Sequence, residues 1–161
     1  MHERAFAPGH EEADLVDALR ASGDHLPELC LVALRGHSVV GHIAFSRAAL
    51  DSGHAVLALA PMGVVPEHQR QGAGSALVRA ALGRAAETDF PLIVVVGHSA
   101  YYPRFGFEPA GELGVSAPFV LPAEAWMACR LPAYTPSARG TVRYAQAFAS
   151  RGRPQPGRRR V

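Results

Sequence analysis

Lysine is missing altogether: the 161-residue chain carries 16 basic residues and all of them are arginine. Schiff-base chemistry on a lysine amine is therefore excluded, and so is a Walker-type phosphate loop, whose helix opens on Gly-Lys-Ser or Gly-Lys-Thr. Forked arginines suit phosphate, although codon bias explains an arginine-only set more simply. Cysteine is scarce. Cys30 and Cys129 lie far apart inside apolar segments (29–34 and 126–131), where a free thiol behaves as a small buried hydrophobe, so both are expected in the core rather than in a disulfide or as a nucleophile. No apolar run approaches the roughly 20 residues that span a bilayer, and Met1-His2-Glu3-Arg4-Ala5-Phe6-Ala7-Pro8 lacks the basic-then-apolar pattern of a secretion signal. No membrane association is expected, and the cytoplasm is the expected compartment. The eight histidines are scattered without paired ligand spacing, which argues against a metal site.

What is present is ordinary globular material: 48% hydrophobic and 19% charged residues, with a formal net charge of +2. The length suits one domain that buries its own core. Leu15, Val16 and Leu19 fall at helical spacing in the stretch 11–20, with carboxylates at its start and Arg20 at its end, matching the helix dipole. Residues 29–34 and 39–45 read as strands of a hairpin around Arg35-Gly36-His37-Ser38. A third strand, 55–65, is apolar throughout, as in a strand covered on both faces. Pro61 and Gly63 interrupt it, which predicts a bend or splay. Residues 75–86 return to helical periodicity, 92–96 and 126–131 read as strands, and 101–105 as a short helix ended by Gly106. Beyond 141–148 the pattern dissolves. The tail 149–161 is rich in arginine with almost nothing to bury and is expected to be disordered, a solvated terminus rather than a nucleic-acid-binding arm.

The most informative stretch is Val64-Val65-Pro66-Glu67-His68-Gln69-Arg70-Gln71-Gly72-Ala73-Gly74-Ser75-Ala76-Leu77, a strand leading through a glycine-bearing loop into a helix. Free amides and the positive end of the dipole converge at such a junction, and Gly72 and Gly74 leave room for a pyrophosphate. Arg70 adds a charged donor. A Rossmann turn requires a third glycine and a tighter link to its strand. The bland alternative, a glycine-rich cap, leaves unexplained two glycines within the first turn, each costing about 1 kcal/mol relative to alanine.

Gln69-Arg70-Gln71-Gly72-Ala73-Gly74 resembles the signature of the Gcn5-related N-acetyltransferases (GNAT): glutamine or arginine, two spacers, glycine, a spacer, then glycine or alanine. Val94-Val95-Val96-Gly97-His98-Ser99-Ala100-Tyr101-Tyr102-Pro103-Arg104-Phe105-Gly106-Phe107 is similar to the tyrosine and glycine-phenylalanine block of that family, in particular its bacterial YhbS-like branch with paired tyrosines. The resemblance implies an α/β GNAT fold spanning residues 1–148, with a mixed central sheet splayed at an acetyl-CoA site and flanked by helices. It implies that the backbone near Met62 and Val64 holds the acetyl and pantetheine groups. The amides of Gln71, Gly72, Ala73, Gly74 and Ser75 would hold the pyrophosphate, and Gln69 and Arg70 belong to the same coenzyme-binding set.

By the same resemblance, Tyr102, four residues before Gly106, would be the general acid that protonates the departing coenzyme thiolate. The alternative for Tyr102 is a packed ring with its hydroxyl bonded, and Tyr101 is expected to pack or to line the acceptor pocket. No carboxylate stands in Ala58-Leu59-Ala60, where some branches carry a glutamate. His42, His98 or ordered water are the remaining candidates for removing the acceptor's proton. The expected activity is acetyl transfer from acetyl-CoA to a primary amine of a small molecule or protein. The competing class is an acyl-CoA-binding regulator without turnover. Family members usually begin with a strand before the first helix, and here only residues 1–8 precede it. An edge would then be exposed, and a homodimer is one expectation for covering it.

Overall fold

The computed structural model describes residues 11–145. Helix α1 (Glu11–Ser22) buries Val16 and Leu19. It stops where Gly23 adopts a left-handed φ of 77°, a helix-ending conformation that glycine reaches without strain. A 3-10 turn at Pro27–Leu29 delays the first strand, so β1 spans Leu31–Arg35 rather than beginning at 29. It forms the expected hairpin with β2 (Ser38–Leu50), Leu34 facing Val39 and Arg35 facing Ser38. Gly36 turns the chain at φ 59°. The second strand runs five residues past its predicted end at 45, since Ala48 and Leu50 are also buried.

Strand β3 (Ala55–Val64) pairs antiparallel with β2 along most of its length, with a register shift between Ile43 and Phe45. Helix α2 (Ala73–Ala85) follows, then β4 (Leu92–Val96), parallel to β3. Short strands β5 (Glu108–Pro109) and β6 (Val115–Ser116), then β7 (Trp126–Arg130) and β8 (Gly140–Arg143), complete the element order. The sheet runs β5-β7-β4-β3-β2-β8-β6, with β1 alongside β2. The architecture is the mixed, helix-flanked α/β sheet that the sequence implies. Strand β8, at the start of the stretch 141–148 to which the sequence reading assigns no element, pairs with Ala49 and Leu50. Four residues are too short to display a period.

Two cores hold the sheet. On one face α2 packs Leu77, Val78, Ala81 and Ala85 against Ile43, Phe45, Leu57, Ile93 and Val95. On the other, Leu50, Val56, Leu92, Val94, Trp126 and Val142 meet, and the Trp126 indole donates to the Val115 carbonyl at 2.9 Å. Each fully buried large side chain contributes roughly 1.5–3 kcal/mol relative to exposure. The cysteines divide: both are free and Cys129 is buried. Cys30 departs from the expectation of a core thiol, being half-buried with its Sγ 3.2 Å from His25 Nε2 and 3.2 Å from the Leu26 carbonyl oxygen. Burial pushes both thiols above their usual range. The outer edge at β1 leaves Val32 and Leu34 exposed. Among the described residues no helix is long and apolar enough to cross a membrane, and no cluster of three metal-binding side chains occurs. The tail 149–161 and residues 1–8, where the family's first strand is expected to be truncated or absent, lie outside the described residues.

Candidate active site

Between β3 and α2 the chain makes a 3-10 turn at Pro66–His68 and then passes through two left-handed residues, Arg70 at φ 57° and Gly72 at φ 89°. Gly72 is the residue at which α2 begins, its carbonyl accepting from the Ala76 amide at 2.9 Å. It therefore caps the helix instead of sitting inside the first turn, where only Gly74 stands. No side chain caps this end, so the first amides, those of Ala73, Gly74 and Ser75, have no intrahelical acceptor and sit at the positive end of the dipole. Gly74 is needed for space. A Cβ there would lie 2.9 Å from the Tyr101 hydroxyl and 3.1 Å from Met62 Cε.

A cavity of about 820 Å³ opens over these amides. Of the nine residues expected to contact a coenzyme, Val64, Gln69, Arg70, Gly72, Gly74 and Ser75 line it, while Met62, Gln71 and Ala73 do not. The Gln71 side chain instead ties the loop together, donating to the Glu67 carbonyl at 2.9 Å. Gln69 donates to the Val64 carbonyl at 3.0 Å, which fixes the loop to the end of the strand. The opposite wall comes from the segment after β4: His98, Ala100, Tyr101 and Arg104.

The splay predicted from Pro61 and Gly63 is present. The parallel ladder between β3 and β4 consists of Leu57 with Ile93 and Ala58 with Val94, whereas β4 stays fully paired with β7 up to Val96. Beyond Ala58 the two strands part. The Val65 amide donates to Val40 on β2, so the alternation of an antiparallel ladder turns the backbone groups of Val64 and Met62 the other way, toward the gap.

Tyr102 is buried among Tyr101, Phe107 and Gly97, the residue that directly follows β4, and unlike Tyr101 it is not one of the residues that line the cavity. Its ring occupies the space a side chain at Gly97 would need, since a Cβ there would lie 2.2 Å from Tyr102 Cε2. Burial pushes the Tyr102 phenol well above its usual range, and the neighbouring Tyr101 pushes in the same direction. The group holds its proton at neutral pH, as a proton donor must. Tyr101 does pack, edge-on to Tyr102 and to Phe105, and it lines the cavity next to the helix start. Its buried hydroxyl has no hydrogen bond of good geometry, although Ser75 lies close enough to counter part of the rise that burial causes.

Residues 27–109, just over half the chain, match the acetyltransferase (GNAT) domain. The chain belongs to the GNAT acetyltransferase family. An uncharacterized N-acetyltransferase of Escherichia coli (strain K12), YjhQ, is 38% identical over 153 residues, covering 90% of this chain and 83% of that protein. The Escherichia coli GNAT family N-acetyltransferase YhbS, solved in complex with CoA, superposes with a TM-score of 0.82 at 29% identity, over 91% of this chain and 82% of that one. A GNAT family acetyltransferase from Brucella melitensis, solved in complex with acetyl-CoA, superposes at 0.71 with 30% identity, over 91% and 86%.

The two histidines considered as bases occupy different places in this GNAT domain. His98 lines the cavity, and its Nε2 is buried without a hydrogen-bond partner. His42 is on the other face of the sheet, because the neighbouring Gly41 points at Leu77 of α2 and side chains alternate along a strand. Burial, with help from Arg20 and His25, lowers the His42 pKa from its ordinary 6.5 to about 4. A histidine depressed in the fold stabilises the protein above its unfolded pKa, and that contribution is lost as pH falls from 6.5 through about 4. Chemical unfolding on either side of this window should therefore show His42→Gln with a flatter pH dependence than the parent; an unchanged slope would contradict the burial of a neutral ring. Two contributors escaped sequence reasoning. Gly97 carried a signal, a glycine directly after a buried strand and shortly before a pair of aromatics, but only coordinates show which ring it admits. Arg104 carried none.

Proposed function

We propose that this acetyltransferase moves an acetyl group from acetyl-CoA directly to a primary amine of a small molecule or protein. The observation that carries the reading is the junction of three features: uncapped amides at residues 73–75, a gap between β3 and β4 lined by outward backbone groups, and a buried protonated phenol packed against Gly97 directly after β4. The first fits a pyrophosphate, the second an extended pantetheine arm, and the third a departing thiolate. The CoA and acetyl-CoA held by the two structural relatives support the same donor.

In the reaction the amine nitrogen attacks the thioester carbonyl, the C–N bond forms and the C–S bond breaks. Tyr102 gives its proton to the thiolate, and the acceptor nitrogen loses one to water or to a histidine, of which His98 is the one on the cavity wall. The products are an amide and free coenzyme thiol, and Tyr102 regains its proton from solvent. Fit to the coenzyme is tested by the donor set itself: backbone amides and two arginines facing one cavity, with no carboxylate among its lining residues.

The test is a panel of primary amines with acetyl-CoA, following released thiol. Amine-dependent thiol release is expected. Coenzyme binding without thiol release on any amine would favour the regulator, a reading kept open by the absence of a carboxylate from Ala58-Leu59-Ala60.

A further inference from the structure

Two cations, Arg70 and Arg104, line the cavity, and they belong to opposite walls. Arg70 is part of the loop that carries the amide cradle. Arg104 belongs to the 3-10 turn Tyr102–Phe105 and is fixed in place before any ligand arrives. Its Nε donates to the Tyr101 carbonyl at 3.1 Å, and its guanidinium lies 4.6 Å from the centre of the Tyr101 ring and 5.4 Å from that of Phe105. None of the ion pairs among the described residues involves it. Stacking and one backbone bond leave the terminal nitrogens as unpaired donors, an arrangement suited to a phosphate dianion.

We propose that Arg104 is a specificity residue that binds the 3′-phosphate of coenzyme A. The proposal rests on acetyl-CoA as the donor. The diphosphate of that molecule already has a match in the amides of Ala73, Gly74 and Ser75 with Arg70 beside them. The remaining charge is the monophosphate one ribose away, and the Tyr101 ring sets Arg104 across the cavity from the cradle, its hydroxyl touching the space above Gly74. The consequence is discrimination: a nucleotide with only a diphosphate engages the cradle and leaves Arg104 unsatisfied.

Calorimetric titration of the purified protein with coenzyme A and with dephospho-coenzyme A, which lacks the 3′-phosphate, separates the roles. The parent should prefer coenzyme A by about tenfold to a hundredfold, the size of a forked charge-assisted contact. Arg104→Gln should bind the two ligands equally, at the level at which the parent binds dephospho-coenzyme A. Arg104→Lys, which keeps the charge and loses the fork, should retain part of the preference. Arg70→Ala should weaken both ligands alike and keep the parent's ratio. Equal affinity of the parent for both ligands, or an Arg104→Gln loss shared by both, would overturn the assignment. If the parent binds neither ligand, the acetyl-CoA reading falls with it. Melting temperatures of the ligand-free variants show whether each is folded.

Discussion

Replacing Tyr102 with phenylalanine is expected to lower kcat by about a hundredfold to ten-thousandfold, the usual size of positioned general-acid help. Coenzyme affinity should stay nearly unchanged. The ring is retained, so its contacts with Gly97, Tyr101 and Phe107 survive, and the defect should appear in turnover at saturating acetyl-CoA rather than in binding. Burial holds the phenol protonated, so the parent keeps its acid through neutral pH and well into the basic range, and the loss of turnover in the variant should be much the same at every pH between. Tyr101→Phe is the matched control. Its ring lines the cavity with the hydroxyl beside Gly74 at the start of the helix, so its effect on turnover should be small. Equal and small effects from both substitutions would leave Tyr102 as a packing residue and assign thiolate protonation to water.

Gly74→Val should abolish coenzyme binding, read as loss of the rise in melting temperature that acetyl-CoA gives the parent. The added Cβ would meet the Tyr101 hydroxyl at 2.9 Å and Met62 Cε at 3.1 Å, and its methyl groups have only the cavity to enter. Gly74→Ala places the same Cβ without the methyls and should bind more weakly without losing the ligand. Gly72→Val reaches a similar end by another route. Nothing lies within 4 Å of a Cβ at Gly72, but its φ of 89° is left-handed, a conformation costing other residues roughly 1–2 kcal/mol. The cap should rebuild and the amides should turn away. Binding by Gly74→Val as tight as the parent's would show that the pyrophosphate lies elsewhere.

The cradle was legible because its signal is local: two glycines, one arginine and a helix onset fall within six consecutive residues. The splay was legible for a similar reason, proline and glycine interrupting an otherwise apolar strand. Other features depend on contacts remote in sequence. Strand β8 exists because Ala49 and Leu50 present a free edge to residues 140–143, which no periodicity in four residues could reveal. Gly72 was legible as a glycine near the cradle but not as the cap, since its left-handed φ follows from how the loop leaves Arg70. The role of Cys30 depends on His25 coming within 3.2 Å, and an apolar sequence neighbourhood gave no hint of that imidazole.

The narrow contact between β3 and β4 gives the sheet a waist. Strands β1, β2 and β3 form one plate and β4, β7 and β5 another, and two residue pairs join them directly. A hydrogen-bonded sheet so interrupted is incomplete as a polypeptide alone, and an extended arm bound along Met62 and Val64 would serve as the absent strand. Ligand affinity and the cohesion of the two plates then become the same quantity, and backbone amide exchange in residues 59–64 should slow with each increment of bound coenzyme while the β4–β7 ladder, already complete, stays as it was.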